Sequence, residues 1–394
     1  MQIIYIASVF DNDCINKRFN GKSVLPYAAS KYNTLLFEGL ATNNISTNVL
    51  SVVPINRNYY KKIFFNGYTI KKKKLNIRYI SQINIPAIKN VFNMISGFFK
   101  TLFAKKGTLV VYDVLVVSAS IGALFAAKLR NFKKVGIVTD LPKFQPIAAN
   151  SYMLKQNDKI VKSADGYIFL TKQMNEEVNA DGKPYLVLEG HVDANMKALE
   201  HCEFFENEKN IIYAGAIEKI YGIEMLCKAF LNIAHPGEYL HIYGNGDYAE
   251  DLTALASANK NIFYHGNRPN NEIVEAELSA TLLVNPRPTD GEYTKFSFPS
   301  KTLEYMVSGT PVLSSRLAGI PEEYENYIYY FDENTAESLG RKMREILDLS
   351  PQDLKNIGKK ARAFALEEKN NIVQAAKIVD FCYSLQNKEN KKCM

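Results

Sequence analysis

FSFPSKTLEYMVSGTPVL, residues 296–313, joins a polar turn, a short helical run and an apolar strand. Ser300 follows a proline at a typical helix start, and Gly309 is the kind of residue with which helices end. Pro311 cannot continue a helix and leads instead into the apolar residues of a strand. Another apolar run ends at Asn285, so strand, loop, helix and strand follow one another. This order is typical of a parallel sheet covered by helices.

The same alternation of strands and helices runs through the whole chain and restarts in the second half. The first series of strand-like runs lies before residue 190, and the second begins at NIIYAG. Between them, residues 191–209 are acidic and lack long apolar periodicity, as a linker does. We therefore predict an α/β protein with two Rossmann-like parallel-sheet domains, at residues 1–190 and 210–370, whose strands end at a shared cleft. Residues 371–394 are expected to form a C-terminal helix that packs back on the first domain.

Length, cysteine usage and the N-terminal residues restrict the class of protein. The chain has 394 residues, of which 47% are hydrophobic, enough for two buried cores. Its 5 cysteines are odd in number and show no metal-ligand spacing, which favours a reducing compartment. The first residues lack a basic leader, and no apolar run reaches the roughly 18 residues of a membrane span. We expect a cytoplasmic protein with neither a signal peptide nor a transmembrane helix.

The charge of the chain is distributed unevenly. Residues 1–190 contain 26 Lys and Arg against 11 Asp and Glu, a net charge of +15, whereas the remainder carries −8. The positive charge is densest at residues 71–74, which are all lysines. Such a run is typical of a solvated loop, or of a surface that meets anionic phospholipid. No nucleic-acid-binding motif accompanies the charge, so we predict no nucleic-acid partner.

A second feature concerns membranes. Residues 88–106, IKNVFNMISGFFKTLFAKK, place apolar residues at helical spacing with lysines at both ends. An interfacial helix has this pattern. A helix that covers a sheet with its apolar face has it too, so the sequence leaves both alternatives open.

The junction at Ser300 has the chemistry of an anion site. The first N–H groups of a helix lack partners within the helix, and the helix dipole favours negative charge there. Lys301 adds a positive charge, and Glu304, about one turn later, can accept two hydrogen bonds from a vicinal diol such as a ribose. Together these residues predict a site for a nucleoside diphosphate. The alternative is an ordinary capped helix without a ligand.

The segment FPSKTLEYMVSGTPVL, with LLVNPR before it and AGIPEEY after it, resembles the nucleotide-sugar segment of family-4 retaining glycosyltransferases. The likeness is greatest to those of bacterial capsule and exopolysaccharide clusters. Residues 213–230, 242–252 and 137–142 are similar to further segments of that family. The resemblance implies the GT-B fold, in which two Rossmann-like domains face a cleft. It also implies transfer of a sugar from a nucleoside-diphosphate sugar with retention at the anomeric carbon.

The resemblance also implies roles for individual residues. Glu304 would hold the donor ribose, while Ser300 and Thr302 would approach the diphosphate. Lys301 would stabilise the leaving group as a catalytic residue, with Asp140 as the second one. Gly266, Asn267 and Arg268 would seat the base. The other implied donor contacts are Gly215, Lys219, Gly244, Glu292, Tyr293, Phe298 and Pro299, and the implied acceptor-side residues are Gly21 and Lys22.

Several positions near the junction depart from the family pattern. Phe296 stands where the family usually has the first of two glutamates, and residues 297–299 read Ser-Phe-Pro in place of Gly-Phe-Gly. Fewer flexible amides are therefore available to the sugar. Glu292 or Tyr293 is expected to take over its contacts.

The first domain also departs from the family pattern, and so does the first glycine motif, the one around Gly215. The usual arginine of that motif is Ala216 and the usual lysine is Tyr221, which leaves Lys219 two residues early. One of the positively charged residues that would hold the phosphate, called clamp residues below, is therefore displaced or absent. In the first domain, Thr139 replaces the histidine that often precedes Asp140.

The partners implied by the resemblance are a nucleotide-sugar donor and a glycan or polyprenyl-diphosphate-linked acceptor. With the basic first half, this favours an enzyme held peripherally at the inner face of the plasma membrane. We expect no cofactor and no metal. Asp11 and Asp13 are interpreted as a turn rather than as a metal motif. The five histidines, none of which shows ligand spacing, are interpreted as surface or packing residues: His191, His201, His235, His241 and His265.

Other functions fit parts of the same pattern. GNGDYA, residues 244–249, satisfies the dinucleotide fingerprint of an NAD-type oxidoreductase, but IFYHGN follows where the fingerprint needs an acidic residue. A nucleotide-sugar epimerase would need acids at both faces of the sugar, and Phe296 argues against it. A non-catalytic sugar-nucleotide-binding scaffold is the third alternative, because the altered clamp residues are also compatible with loss of activity.

Overall fold

The computed structural model describes residues 1–10, 19, 27–58, 60–145, 150–198 and 208–390. The chain forms two compact units. Unit 1 comprises Met1–His191 and Asn371–Met394, and unit 2 comprises Val192–Asn370. Each unit contains its own parallel sheet, as the two series of strand-like runs predict.

The main sheet of unit 1 has the strand order β10-β9-β8-β7-β1-β2-β5-β4. Its strands are parallel except β4, which is antiparallel to β5, and a separate antiparallel pair joins β3 to β6. All six residues of β7 are buried, because helices cover both faces of such a sheet. The strands are β1 Gln2–Ala7, β2 Ser46–Ser51, β3 Phe64–Phe65, β4 Thr69–Lys72, β5 Leu75–Tyr79, β6 Gln82–Ile83, β7 Thr108–Asp113, β8 Lys134–Val138, β9 Gly166–Phe169 and β10 Tyr185–Val187.

The helices of unit 1 include the last helix of the chain. That helix, α12, contributes Ala375 and Ile378 to the core on one face of the sheet. The Asn371 side chain also donates to the carbonyl oxygen of Leu35 at 3.0 Å. The helices are α1 Tyr27–Thr42, α2 Pro86–Leu102, α3 Val117–Leu129, α4 Ser151–Lys162, α5 Lys172–Val178 and α12 Asn371–Asn390, with a 3-10 turn at Pro142–Phe144.

Helix α2 tests the interpretation of residues 88–106 as the core face of a sheet-covering helix. Its buried residues are Asn93, Gly97 and Thr101, whereas large apolar side chains such as Ile95 and Phe99 are about half exposed. Glycines explain this orientation, because a Cβ at Gly97 would lie 2.1 Å from the Ala119 carbonyl oxygen of α3. The interpretation of the apolar stripe as a core face is therefore wrong. Among the described residues, no helix is long and apolar enough to cross a membrane.

Unit 2 is built on a fully parallel sheet with the order β13-β12-β11-β14-β15-β16. The chain leaves β11 toward β12 and β13, then returns to add β14 on the other side. Ligands of such sheets bind at this reversal, beyond the carboxyl ends of the strands. The strands are β11 Lys209–Ala214, β12 Glu238–Tyr243, β13 Ile262–Gly266, β14 Leu282–Asn285, β15 Val312–Ser315 and β16 Tyr329–Phe331.

The helices of unit 2 pack on both faces of this sheet, with a separate apolar core on each face. They are α6 Ile223–Ile233, α7 Ala249–Ala258, α8 Asn270–Ser279, α9 Ser300–Ser308, α10 Ala336–Leu347 and α11 Pro351–Glu368, with 3-10 turns at Ala194–Ala198, Lys219–Tyr221, Glu292–Phe296 and Glu322–Tyr324.

Candidate functional site

The candidate site of unit 2 lies where β11 and β14 end. The loop after β14 leads to α9, which begins at Ser300 and ends at Gly309 with a left-handed φ of 80°, as predicted. Pro299 precedes the helix and offers no side-chain cap to its first N–H groups. The Tyr305 hydroxyl ties the helix to the sheet, since it accepts from the Ala214 N–H at 2.8 Å and donates to the Ala214 carbonyl at 3.1 Å. The helix start is therefore held against the end of β11.

Thr302 is an unusual residue in the first turn of α9. Its side chain is fully buried, and its hydroxyl has no hydrogen-bond partner among the described residues. Buried hydroxyls nearly always have a partner, so an exception marks a place where a ligand or water can supply one. This agrees with the diphosphate contact expected at Thr302, which stays a prediction.

Lys301 and Glu304 form an ion pair at the start of α9, with 2.8 Å between Nζ and Oε2. Both side chains are partly exposed, by 38% and 26%. Desolvation lowers the pKa of Lys301, but the Glu304 and Glu277 carboxylates raise it by more, so the net shift is upward. Lys301 is therefore a cation at neutral pH, and it lies within reach of an anion at the helix start.

Close packing of backbones accounts for the glycines of residues 244–249. Gly244 has a φ of 133°, and a Cβ there would lie 1.7 Å from the carbonyl oxygen of Gly215. A Cβ at Gly246 would likewise meet the backbone of Ile217 at 2.4 Å. These glycines let the loops after β11 and β12 touch, which explains the dinucleotide-like spacing without a nicotinamide cofactor.

The clamp residues of the first glycine motif differ from the family pattern in space as well. Lys219 lies on an exposed 3-10 turn, and its Nζ pairs with the Asp251 carboxylate at 3.0 Å. Hydrogen bonding to that carboxylate raises the pKa of Lys219. Tyr221, at the position of the missing lysine, instead stacks under the guanidinium of Arg287 at 4.3 Å.

Arg287 is a functional candidate that was not singled out from the sequence. It follows β14 and lies 5.9 Å from the centre of the Tyr293 ring, and its Nη1 donates to the Ser297 hydroxyl at 3.3 Å. Arg287 therefore places a positive charge beside Tyr221, where the lysine is absent. Its position immediately after an apolar strand, in LLVNPR, was the available signal.

The remaining predicted donor residues lie around the same strand ends. Phe298 is buried in the core and packs on Tyr324, with ring centres 5.6 Å apart, so its side chain is not available to a ligand. Pro299 is buried beside it, whereas Glu292 is exposed and Tyr293 half-buried. Their roles toward a sugar stay predictions.

The loop after β13 contains the residues expected to seat the base. Gly266 has a φ of 63°, while Asn267 and Arg268 are exposed. The Arg268 Nε donates to the His265 carbonyl at 3.1 Å. His265 in turn pairs its Nε2 with Nδ1 of His241 at 3.0 Å, so these two histidines are packing partners as expected.

In unit 1, Asp140 and Asp113 lie at the carboxyl ends of β8 and β7. Asp113 is the last residue of the buried strand β7 and was not singled out from the sequence. It is 3% exposed, accepts from the Leu115 N–H at 2.9 Å, and lies 3.4 Å from Nδ2 of Asn33. Burial raises its pKa to about 6, against the hydrogen bonds from Leu115 and Asn33 and with a smaller upward effect of Asp140.

Burial raises the pKa of Asp140 as well. The Asp113 carboxyl, Asn33 and the Tyr5 hydroxyl, which donates to Asn33 at 2.6 Å, form a buried polar cluster at the reversal of strand order between β1 and β7, with the half-buried Asp140 nearby. Gly21 and Lys22 lie outside the described residues, as do Asp11, Asp13 and His201. His191 is half-buried, with its Nε2 2.9 Å from the Tyr32 carbonyl oxygen, and desolvation lowers its pKa to about 4.

Among the described residues, no group of three or more His, Cys, Asp or Glu side chains could hold a metal ion. The expected metal independence stays a prediction, because this observation concerns the protein alone.

Comparison with known proteins adds a family match over part of the chain. Residues 197–364 match the family model described as glycosyl transferases group 1. No curated protein matches the sequence.

Solved structures are similar over nearly the whole chain. Sucrose-phosphate synthase of Thermosynechococcus elongatus is 17% identical, with a TM-score of 0.68 over 98% of this chain and 100% of that one. HepE of Anabaena in complex with UDP is 12% identical, with a TM-score of 0.67 over 98% and 100%. The lipopolysaccharide outer core galactosyltransferase WaaB is 13% identical, with a TM-score of 0.63 over 98% and 99%. These similarities confirm the predicted α/β fold of two parallel-sheet domains.

Proposed function

From the group 1 glycosyltransferase domain at residues 197–364, we propose that this protein transfers a sugar from a nucleoside-diphosphate sugar to a glycan or lipid-linked acceptor. We further propose that the reaction retains the anomeric configuration and serves bacterial surface polysaccharide synthesis. The observation that carries the proposal is the start of α9, where a cation, a carboxylate and an unpartnered buried hydroxyl lie within one turn.

The diphosphate of the donor is proposed to bind at the N-terminus of α9. Uncapped N–H groups and the helix dipole favour an anion there, and the Thr302 hydroxyl would gain its missing partner. Lys301 would move its ammonium group from Glu304 to the diphosphate. Glu304 would then be released to accept hydrogen bonds from the ribose hydroxyls. The ion pair of the free protein thus keeps both groups in place for the donor.

The chemical contribution of these groups is electrostatic. Departure of the nucleoside diphosphate concentrates negative charge on its oxygens as the sugar becomes cationic. Once Lys301 has moved from Glu304, Lys301 and the helix start would both face that charge, so they would stabilise the transition state more than the bound donor. Arg287 is proposed as a further cation for the same anion, in place of the lysine that is absent at Tyr221. On the acceptor side, Asp140 is proposed as the carboxylate that contacts the acceptor.

Two features of unit 1 support a lipid-linked acceptor and peripheral binding to an anionic membrane. Lysines 71–74 are all exposed, on β4 and the turn that follows it. The apolar stripe of α2 is also exposed, with Phe103 at 76%. Cationic and apolar groups together are typical of proteins that bind the surface of a membrane.

The test is release of nucleoside diphosphate from a panel of nucleotide sugars, with and without a lipid-linked acceptor. Lys301→Ala should slow turnover by roughly 10²-fold, the scale of losing one preorganised group. Lys228→Ala is the matched control, because Lys228 also pairs with a helical glutamate, Glu224, at 2.5 Å on α6. It should leave turnover unchanged. Equal turnover of both variants at saturating donor would refute the role of Lys301.

Two further measurements separate the alternatives. A nucleotide sugar that binds should raise the free energy of unfolding by about 2.7 kcal/mol at 100 times its dissociation constant. Binding without release of nucleoside diphosphate would indicate the scaffold, and a change in nicotinamide absorbance would indicate the oxidoreductase. Activity should also survive a chelator. Loss of activity that manganese restores would overturn the metal-free assignment.

A further inference from the structure

Unit 1 contains a cavity of ≈ 790 Å³ between α2 and the sheet face formed by β1, β2 and β5. Its volume lies within the range of small-molecule sites, about 300–1,000 Å³. The cavity exists because α2 packs against α3 through small residues, Gly97 of α2 and Gly122 of α3, rather than through the large side chains of α2. A Cβ at Gly122 would lie 1.9 Å from the Met94 carbonyl oxygen, so the glycine allows the two helices to pack this closely.

The wall provided by α2 is apolar. Phe92, Ile95, Phe99 and Phe103 line the cavity and are exposed by 42%, 48%, 50% and 76%. The rings of Phe99 and Phe103 stack with 6.0 Å between their centres. Large apolar side chains that are contiguous and exposed mark binding sites on proteins. This wall is long enough for a hydrocarbon chain, since the four residues span three turns of the helix.

The lining also contains cationic side chains, from both the sheet and α2. Arg78 of β5 and Lys100 of α2 both line the cavity, and neither side chain has an ion pair or hydrogen bond among the described residues. Desolvation lowers the pKa of Lys100, and the nearby Arg78 charge lowers it further. Lys105 lines the same cavity, and Lys71 lines a smaller one beside it together with Arg78 and Lys100. No Asp or Glu of the described chain lines either cavity.

Two cations that repel one another without a carboxylate between them form a site that an anion would stabilise. The apolar wall argues against free phosphate, which would leave the aromatic side chains uncovered. A nucleotide fits less well, because the apolar side chains of the α2 wall extend over three helical turns, roughly 16 Å, which is longer than a base but can be covered by a hydrocarbon chain.

We propose that this cavity binds a lipid phosphate drawn from a membrane, with one hydrocarbon chain along α2 and the phosphate between Arg78 and Lys100. The site lies entirely in unit 1 and uses none of the residues assigned to sugar transfer. It gives the proposed membrane association of unit 1 a specific ligand, and it stands or falls independently of the transfer reaction.

The test uses the full-length protein and three soluble probes. Two are amphiphiles kept below their critical micellar concentrations, dodecyl phosphate and dodecyl maltoside, and the third is inorganic phosphate. Titration calorimetry should show binding of dodecyl phosphate and at least about tenfold weaker binding of the other two, because only the first satisfies both parts of the site. Equal binding of dodecyl maltoside would show an apolar surface without a phosphate site. Equal binding of inorganic phosphate would show an anion site without a lipid. Either result overturns the proposal.

Two variants assign the binding to the cavity. Arg78→Gln with Lys100→Gln should weaken dodecyl phosphate at least about tenfold, since both charged contacts are lost. Lys155→Gln with Lys159→Gln removes the same charge from the exposed face of α4 and should leave binding unchanged. Phe99→Ser tests the apolar wall separately and should also weaken dodecyl phosphate. Thermal melts establish that each variant is folded, and a folded Arg78/Lys100 variant with wild-type affinity would refute the site.

Discussion

Asp113 gives the sharpest quantitative test of the structure, because its buried carboxyl has a pKa of about 6 against an ordinary value of 3.8. Burial is the main cause, since an ionised carboxylate loses its hydration in the interior. The nearby Asp140 adds to the upward shift, while hydrogen bonds from Leu115 and Asn33 oppose it. The folded protein therefore binds this proton more tightly than the unfolded chain does.

The sign and size of the effect on stability follow from that difference. Between pH 3.8 and about 6, the folded state retains the proton while the unfolded state has released it, so the free energy of unfolding falls as pH rises. The contribution is fully present below the unfolded pKa and is lost above the folded one. At about 1.36 kcal/mol per pKa unit, the total loss is about 3 kcal/mol.

The perturbation is Asp113→Asn, which keeps the shape of the side chain and removes its titration. The assay is urea unfolding of both proteins from pH 4 to pH 8, with the difference in free energy of unfolding plotted against pH. Loss of the Asn33 contact shifts this difference by a constant. The contributions of other titrating groups, such as His191, cancel in the difference because both proteins contain them. We expect the variant to gain roughly 2–3 kcal/mol relative to the wild type as pH rises from 4 to 8.

Asp158→Asn on the exposed face of α4 is the control for the change in net charge. A difference between wild type and Asp113→Asn that stays constant within about 0.5 kcal/mol over this range would refute the reasoning. It would mean that the Asp113 carboxyl is as well solvated in the folded protein as in the unfolded chain.

Three other outcomes follow from the site and the charged surface. Arg287→Ala should weaken binding of the nucleoside diphosphate about tenfold. Arg287→Lys should restore part of the affinity, because the charge returns without the stacking on Tyr221. Equal affinity of the wild type and the alanine variant in calorimetry would remove Arg287 from the site. Gly244→Ala should lower the free energy of unfolding by roughly 2–4 kcal/mol, since the new Cβ would collide with the Gly215 carbonyl oxygen at a φ of 133°; an unchanged melting temperature would contradict the close backbone contact. Replacing lysines 71–74 with glutamine should reduce sedimentation with anionic liposomes and flatten its salt dependence, at about 1 kcal/mol per near-surface lysine, while donor hydrolysis stays unchanged; wild-type protein that ignores such liposomes at low salt would refute membrane binding.

Much of the fold could be predicted from local pattern. Apolar runs of strand length alternate with helical periodicity, and the series restarts near residue 210, which predicts two parallel sheets. The start and end of α9 at Ser300 and Gly309 follow from chemistry within one stretch of chain: a proline before the helix and a residue that tolerates a left-handed φ after it. The ion pair of Lys301 and Glu304 follows as well, because residues three apart lie on one face of a helix.

The tertiary structure decided which distant residues meet. Arg287 and Tyr221 belong to loops after different strands, and β11 and β14 are neighbours only because the sheet adds strands on both sides of β11. The Asp113 carboxyl acquires its pKa from burial beside β1 and α1 and from hydrogen bonds that include one with Asn33 of α1, which lies far away in the chain. The direction of α2 likewise depends on α3, whose small residues admit Gly97 and leave the apolar stripe exposed. Periodicity specifies that a helix has an apolar face, but the free energy of close backbone packing against a particular neighbour determines which face is buried.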